Sequence, residues 1–351
     1  MPWSITIQQA PPRPEAIIWE ELPFGRIFSQ HMAVAEYKDG KWQEARVQPF
    51  EPLSLSPGTS ALHYGQALFE GFKAYQRPDG FRFVFRPKDH WQRLNHSAHR
   101  LSMPEVPYEL FISLLHHLLL QEVALFPPNL QHAIYIRPVY FATDPWLGVR
   151  PSETYMLVIY LTPVGPYYKD TIKAYVETEL SRAASGGTGT AKMAGNYAAA
   201  LLSGRKAQAK GCQVSLWLDA FQHEYVEEFS TMNVFFVQRD STLITPSLER
   251  GTILQGITRD TILYLAYERG LSVEERDISI HEVIENITHG RITEIFGTGT
   301  AATIMPIQSL FYEDKVWELP PHTPIAQMLL TDYKAILQGD LKGNPEWIWP
   351  V

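Results

Sequence analysis

Residues 185–202 read SGGTGTAKMAGNYAAALL, a glycine-dense loop around one lysine that runs into an alanine-rich helix. Glycines at 186, 187, 189 and 195 let the backbone approach a ligand closely, and a lysine desolvated there would be suited to forming an imine. The helix predicted over 195–211 closes on Gly211, in the left-handed position past its end. The same letters also describe a loop in which Lys192 is simply solvated. Tyr197, beside Asn196, either brings a phenol near the lysine or packs at a helix start. This stretch alone leaves both alternatives open.

Upstream, residues 1–30 carry prolines at 2, 11, 12, 14 and 23 and are expected to form an extended arm. Turns at Asp39-Gly40 and Pro78-Asp79-Gly80 predict two hairpins, the second spanning Phe72–Phe85. KDHWQRLNHSAHRL (88–101) reads as a helix, because Trp91, Leu94, Ala98 and Leu101 recur at three- and four-residue intervals and leave Arg93 on another face. FISLLHHLLLQEVALF (111–126) reads as a second helix, and AIYIRPVYFAT and MLVIYLTPV as apolar strands. Downstream, QVSLWLDAF, EYVEEF and MNVFFVQ predict strands, TRDTILYLAYERG (258–270) a helix, and RITEIFGTGTAA (291–302) a buried strand. Hairpins mixed with helices indicate α+β domains more than an alternating βα series. At about 150 residues per domain, the 351 residues predict two domains. The first spans 1–168 with its arm, a connecting loop 169–175 follows the Gly165-Pro166 break, and 176–351 forms the second.

A formal charge of -8 and a pI near 5.9 argue against nucleic acid or anionic membrane as partners and direct attention to small molecules. The lone Cys212 excludes an intrachain disulfide, and neither a secretory leader pattern nor a membrane-spanning apolar run is visible, so a soluble cytoplasmic protein is expected. The 12 histidines show no HExxH spacing and no metal site is expected; no GxSxG elbow supports a hydrolase. Other constellations could carry chemistry. Glu228, preferred over its neighbour Glu227, could sit as a fixed charge in an apolar site, although two acids on a solvated turn fit the letters as well. Arg93 could clamp a phosphate or lie on the surface. GITRD (256–260) and GTGTAA (297–302) could each offer N–H groups and a threonine hydroxyl to an oxyanion, the first at a helix N-terminus.

Taken in order, HYGQALFEGFKAY, WQRLNHSAHRL, IYIRPV, GTGTAKMAGNYAAAL, VEEFSTMN, LQGITRD and FGTGTAA resemble the branched-chain amino-acid aminotransferases of fold-type IV, over roughly residues 25–351. The resemblance implies a two-domain enzyme with a smaller N-terminal α/β domain and a larger C-terminal domain with a barrel-like sheet, carrying pyridoxal 5'-phosphate. It implies that Lys192 is the Schiff-base lysine and proton carrier, that Glu228 partners the pyridine nitrogen, and that Tyr197 bonds the phenolic oxygen. Arg93, Ile257, Thr258 and Thr300 would hold the phosphate. Tyr64, Phe69, Tyr135, Arg137, Tyr167 and Thr231 would line the substrate pocket, with Thr300 and Ala301 offering N–H groups to the α-carboxylate. Leucine, isoleucine or valine would exchange the amino group with 2-oxoglutarate, Arg137 and tyrosine hydroxyls meeting the distal carboxylate. Tyr64 would reach a neighbouring subunit, implying a homodimer at least.

Ala302 and Met305 stand where mammalian members carry a CxxC pair, which excludes a thiol switch there. D-amino-acid aminotransferase and aminodeoxychorismate lyase share the lysine and glutamate, but the long arm, Tyr64 and the IYIRPV strand favour the L-branched-chain form. A non-catalytic protein on a decayed scaffold would have lost the lysine or its acid, and both are present.

Overall fold

The computed structural model describes residues 3–11, 17–19, 22–165 and 172–351. The chain divides into two compact units, one of residues 1–167, 191–195 and 342–351, the other of residues 168–190 and 196–341.

In the first unit the described residues form one ten-stranded sheet. Its strands are β1 (Ile5–Ile7), β2 (His31–Lys38), β3 (Lys41–Trp42), β4 (Ala45–Pro49), β5 (Ala67–Phe69), β6 (Phe72–Gln76), β7 (Arg82–Phe85), β8 (Ala133–Ala142), β9 (Tyr155–Val164) and the tail strand Ile348–Pro350. Helices α1 (Ser60–Tyr64), α2 (Pro87–Arg100) and α3 (Tyr108–Gln121) accompany it. Both predicted hairpins form: Asp39 and Gly40 adopt positive φ between β2 and β3, and Gly80 does so between β6 and β7. β8 and β9 pair antiparallel from Ala133↔Val164 to Ala142↔Tyr155. Alternation then separates two faces. Ile134, Ile136 and Tyr140 enter the core with Leu110, Phe111, Leu114, Leu115, Leu118 and Leu119 of α3, while Tyr135 and Arg137 take the other face. The helix expected over 111–126 instead starts at Tyr108, because Pro107 sets an extended N-cap ahead of it, and it ends at Gln121 before a 3-10 turn at Val123–Leu125.

The second unit holds β10 (Ile172–Glu177), β11 (Val214–Leu218), β12 (Val226–Phe229), β13 (Asn233–Gln238), β14 (Leu243–Thr245), β15 (Val273–Glu275), β16 (Ile292–Gly299), β17 (Thr303–Tyr312) and β18 (Lys315–Glu318). Six of them, in the order β12-β11-β10-β17-β16-β13, close into a barrel through the β12–β13 pairing. β10 lies parallel to β11 and β17, and the other barrel pairings are antiparallel. Closure removes two sheet edges that would otherwise expose unpaired backbone groups. Val214, Leu216, Val234, Phe236, Ile295 and Leu310 belong to its apolar core. The helices are α4 (Ala194–Ala199), α5 (Leu201–Ala209), α6 (Ile257–Glu268), α7 (Ile280–Thr288) and α8 (Pro324–Gln338). Gly211 has the expected left-handed conformation, φ +72, but the helix ahead of it is divided at Ala200 into α4 and α5. Of the connection expected over 169–175, residues from Ile172 onward lie in β10 and the rest are outside the described residues. No described helix is long and apolar enough to cross a membrane.

Candidate active site

Most of the residues singled out in the sequence gather in one group within each unit. In the first, Lys192 is held by both of its peptide groups: its N–H donates to Ser97 Oγ (2.9 Å), and its carbonyl accepts from the Phe69 N–H (3.1 Å). Met193 adds a bridge to Leu68, so the lysine lies against β5 like one more rung of the sheet. The amine of Lys192 lies 5.0 Å from the centroid of the Phe69 ring. The Arg137 guanidinium sits 4.8 Å from the same ring and 5.4 Å from that of Tyr135, and it donates to the Tyr135 hydroxyl at 3.4 Å. Gly71 makes room for this tyrosine, because a Cβ there would come within 1.8 Å of the hydroxyl oxygen.

Arg93 rises from α2, the helix that also presents Ser97 to the lysine. Its side chain is mostly buried and held in a two-bond fork by Glu70, Nε to Oε1 at 2.7 Å and Nη2 to Oε2 at 2.9 Å. Sequence reasoning passed over Glu70 and over His90, whose Nδ1 lies 2.7 Å from Glu70 Oε2. The clue was an acid inside an otherwise apolar strand signal, LFEGF. Tyr64, at the end of the short α1, is 42% exposed with its ring beside His63. Among the described residues it forms no hydrogen bond or ring contact with the other expected site residues. Tyr167 lies outside the described residues.

In the second unit the paired acids at 227 and 228 are buried, which overturns the solvated-turn alternative: Glu227 is 2% exposed and Glu228 5%. Glu228 faces Asn233 across the β12–β13 pairing, and Asn233 faces Thr298 on β16. The Asn233 amide donates to Glu228 Oε2 (3.0 Å) and to the Leu254 carbonyl, while Arg182 Nε lies 2.8 Å from Glu228 Oε1. Arg182 also donates to the carbonyls of Gly189 and Thr252, which ties the glycine loop to the barrel. Gly189 is needed there, since a Cβ would stand 2.3 Å from the Thr252 carbonyl oxygen. Arg182 and Asn233 were further omissions of the sequence reading; for Arg182, nothing in spacing reveals a contact with Glu228, 46 positions away.

Burial raises the Glu227 carboxyl to about 7; the Thr252 hydroxyl and Arg182 pull it down, while Glu228 and Asp219 push it further up. The same end of the barrel carries the other expected residues. Gly256, N-cap of α6, packs on the Asn233 amide, so Ile257 and the buried Thr258 open that helix there. The turn after β16, with Thr300 and Ala301, lies beside the exposed Thr231, since a Cβ on Gly299 would approach the Thr231 carbonyl to 3.1 Å. Thr188 and Asn196 hold the glycine loop by two mutual hydrogen bonds, 2.8 and 2.9 Å, and Tyr197 follows, half-buried, on α4.

Residues 67–310 match the family model described as amino-transferase class IV. A Staphylococcus epidermidis protein named probable branched-chain-amino-acid aminotransferase is 43% identical over 93% of this chain and 92% of its own length. The branched-chain-amino-acid aminotransferase 2 of Bacillus subtilis is 43% identical, covering 87% and 84%. Among solved structures, the branched-chain aminotransferase of Thermoproteus uzoniensis with norvaline superposes with a TM-score of 0.75 at 28% identity, covering 91% of this chain and 99% of that one. The Escherichia coli branched-chain amino acid aminotransferase gives 0.71 at 26% identity, covering 90% and 98%.

Proposed function

The chain belongs to the class IV aminotransferases, and we propose that it moves the amino group of L-leucine, L-isoleucine or L-valine to 2-oxoglutarate, and back, with Lys192 as the residue that anchors the cofactor. It is a pyridoxal 5'-phosphate enzyme. The donor set suits that group: a primary amine fixed at both peptide bonds, a buried acid braced by two donors, and the N-terminus of α6 beginning at Gly256 for the phosphate. The observation that carries the reading is the double anchoring of the Lys192 main chain, with its amine lying over the Phe69 ring.

When bound, pyridoxal phosphate supplies the electron sink that makes the Cα–H bond of an amino acid acidic. The protein's residues do the rest. Lys192 Nζ takes the proton from Cα and returns one in the opposite half-reaction. Glu228, with Arg182 and Asn233 bracing its two oxygens, presents a fixed negative charge to the ring nitrogen. Tyr197 donates to the phenolic oxygen. Arg93, with Ile257, Thr258 and Thr300, holds the phosphate, while the N–H groups of Thr300 and Ala301 bind the α-carboxylate. The Phe69 and Tyr135 rings form an apolar wall that favours a branched aliphatic side chain, and Arg137 with the Tyr135 hydroxyl meets the distal carboxylate of glutamate or 2-oxoglutarate. Thr231 and Tyr167 complete the pocket, and Tyr64, exposed in one chain, serves the site of a second copy in a homodimer working in the cytoplasm.

The test is a half-reaction screen of L-leucine, L-isoleucine, L-valine, L-glutamate and D-alanine, following the cofactor spectrum as it passes from aldehyde to amine form. Conversion by the first four and not by D-alanine is the expected result. Conversion by D-alanine alone, or by none, would overturn the reading.

A further inference from the structure

Glu70 is completely buried, at 0% exposure, a place where an ionised carboxylate persists only if it is paired and hydrogen-bonded. It accepts from Arg93 Nε (2.7 Å), Arg93 Nη2 (2.9 Å) and the Gly71 N–H (3.2 Å), and it lies 2.7 Å from His90 Nδ1. His90 and Arg93 are one turn apart on α2, so both reach the same acid. Burial pushes the Glu70 carboxyl up, but the charges and hydrogen bonds of Arg93 and His90 outweigh it and hold the group well below the carboxylate range. Burial brings His90 down to about 4, against the raising pull of Glu70, so its neutral ring donates from Nδ1 at physiological pH. Stacking on Phe72, with ring centroids 4.8 Å apart, fixes that ring.

We infer that Glu70 is a positioning residue: gripping the Nε edge of Arg93, it orients the guanidinium so that the donors on the opposite edge are aimed at the cofactor's phosphate before the cofactor arrives. A guanidinium is a rigid planar fork, so two bonds on one edge determine where the other edge points. Stability alone is a weak reason for burying such a pair, because apolar groups of similar volume commonly do as well. Its place on α2 supplies the better reason. Ser97, four residues beyond Arg93, donates to the Arg93 carbonyl and accepts the Lys192 N–H, so one turn of helix sets both the arginine and the lysine.

The inference rests on Arg93 as a phosphate ligand, and the experiment separates the two claims. Cofactor-free full-length protein is titrated with pyridoxal 5'-phosphate and with pyridoxal, which lacks the phosphate, for wild type, Arg93→Ala, Glu70→Gln and Glu70→Asp. Arg93→Ala should lower the preference for the phosphorylated form; an unchanged preference would refute Arg93 as its ligand. Given that loss, Glu70→Gln should lower the same preference roughly tenfold, with pyridoxal affinity kept, as expected when a charge-assisted fork becomes a neutral contact. Should Glu70→Gln fail to fold, Glu70→Asp, which keeps the charge but withdraws it by one methylene, must show the same selective loss. Wild-type preference in a folded Glu70 variant, or equal weakening towards both compounds, would overturn the inference, the latter marking Glu70 as merely structural.

Discussion

Replacing Glu227 by Gln should stabilise the second unit above neutral pH and leave it unchanged in mild acid. The side chain is 2% exposed on β12, and its carboxyl lies at about 7 against an ordinary 4.5. The folded state therefore holds a proton that the unfolded chain has already released. Stability from this group is complete below pH ~4.5 and is lost as pH rises through ~7. The distance from 4.5 to about 7, at ~1.4 kcal/mol per pH unit, amounts to roughly 3.5 kcal/mol, which a neutral amide would retain. The measurement is native-state hydrogen exchange of peptides covering β11 to β13, corrected for intrinsic rates. Near pH 8 the variant should exchange about a hundredfold more slowly than wild type, and near pH 5 the two should nearly coincide. Equal exchange near pH 8, or the same slowing at both pH values, would refute the assignment of a buried, late-titrating acid.

The first unit should respond to acid in the opposite sense. His90 drops from an ordinary 6.5 to about 4, so the unfolded chain binds protons that the folded one refuses, and peptides of α2 and β6 should lose protection as pH falls from 6.5 to 4; a pH-independent protection would contradict this. Gly71→Ala should lower the melting temperature by the equivalent of about 1–3 kcal/mol and raise KM for leucine, since the added methyl must displace Tyr135; wild-type values for both would show that the ring has another place to go. Glu294 receives the N–H groups of Ile325 and Ala326, 2.9 Å each, at the start of α8, whose N-cap Thr323 makes no side-chain cap bond. Glu294→Ala should therefore cost about 1–2 kcal/mol in a urea titration, and an unaltered midpoint would refute that role. Borohydride reduction followed by peptide mapping should place the pyridoxyl group on Lys192, and labelling at any other lysine would refute the anchor.

Local pattern carried much of the chain. Alternation and turn chemistry announced the Phe72–Phe85 hairpin, and the three- and four-residue recurrence of Trp91, Leu94 and Ala98 announced α2, because these signals depend on neighbours close in sequence. The glycines around Lys192 and the pair of acids at 227–228 were likewise visible as letters, and the ordered motifs made the family legible. Tertiary structure decided what those letters touch. Residues 191–195 cluster with the first unit although both flanks belong to the second, and the lysine's partners, Ser97 and Phe69, lie about a hundred residues away in the chain. Arg182 braces Glu228, Glu70 grips Arg93, and Glu227 and Glu228 are both buried because six strands close on themselves through β12 and β13. Composition and periodicity report which side of an element avoids water, whereas the charge state and aim of a side chain depend on groups that only the folded chain brings within hydrogen-bond reach.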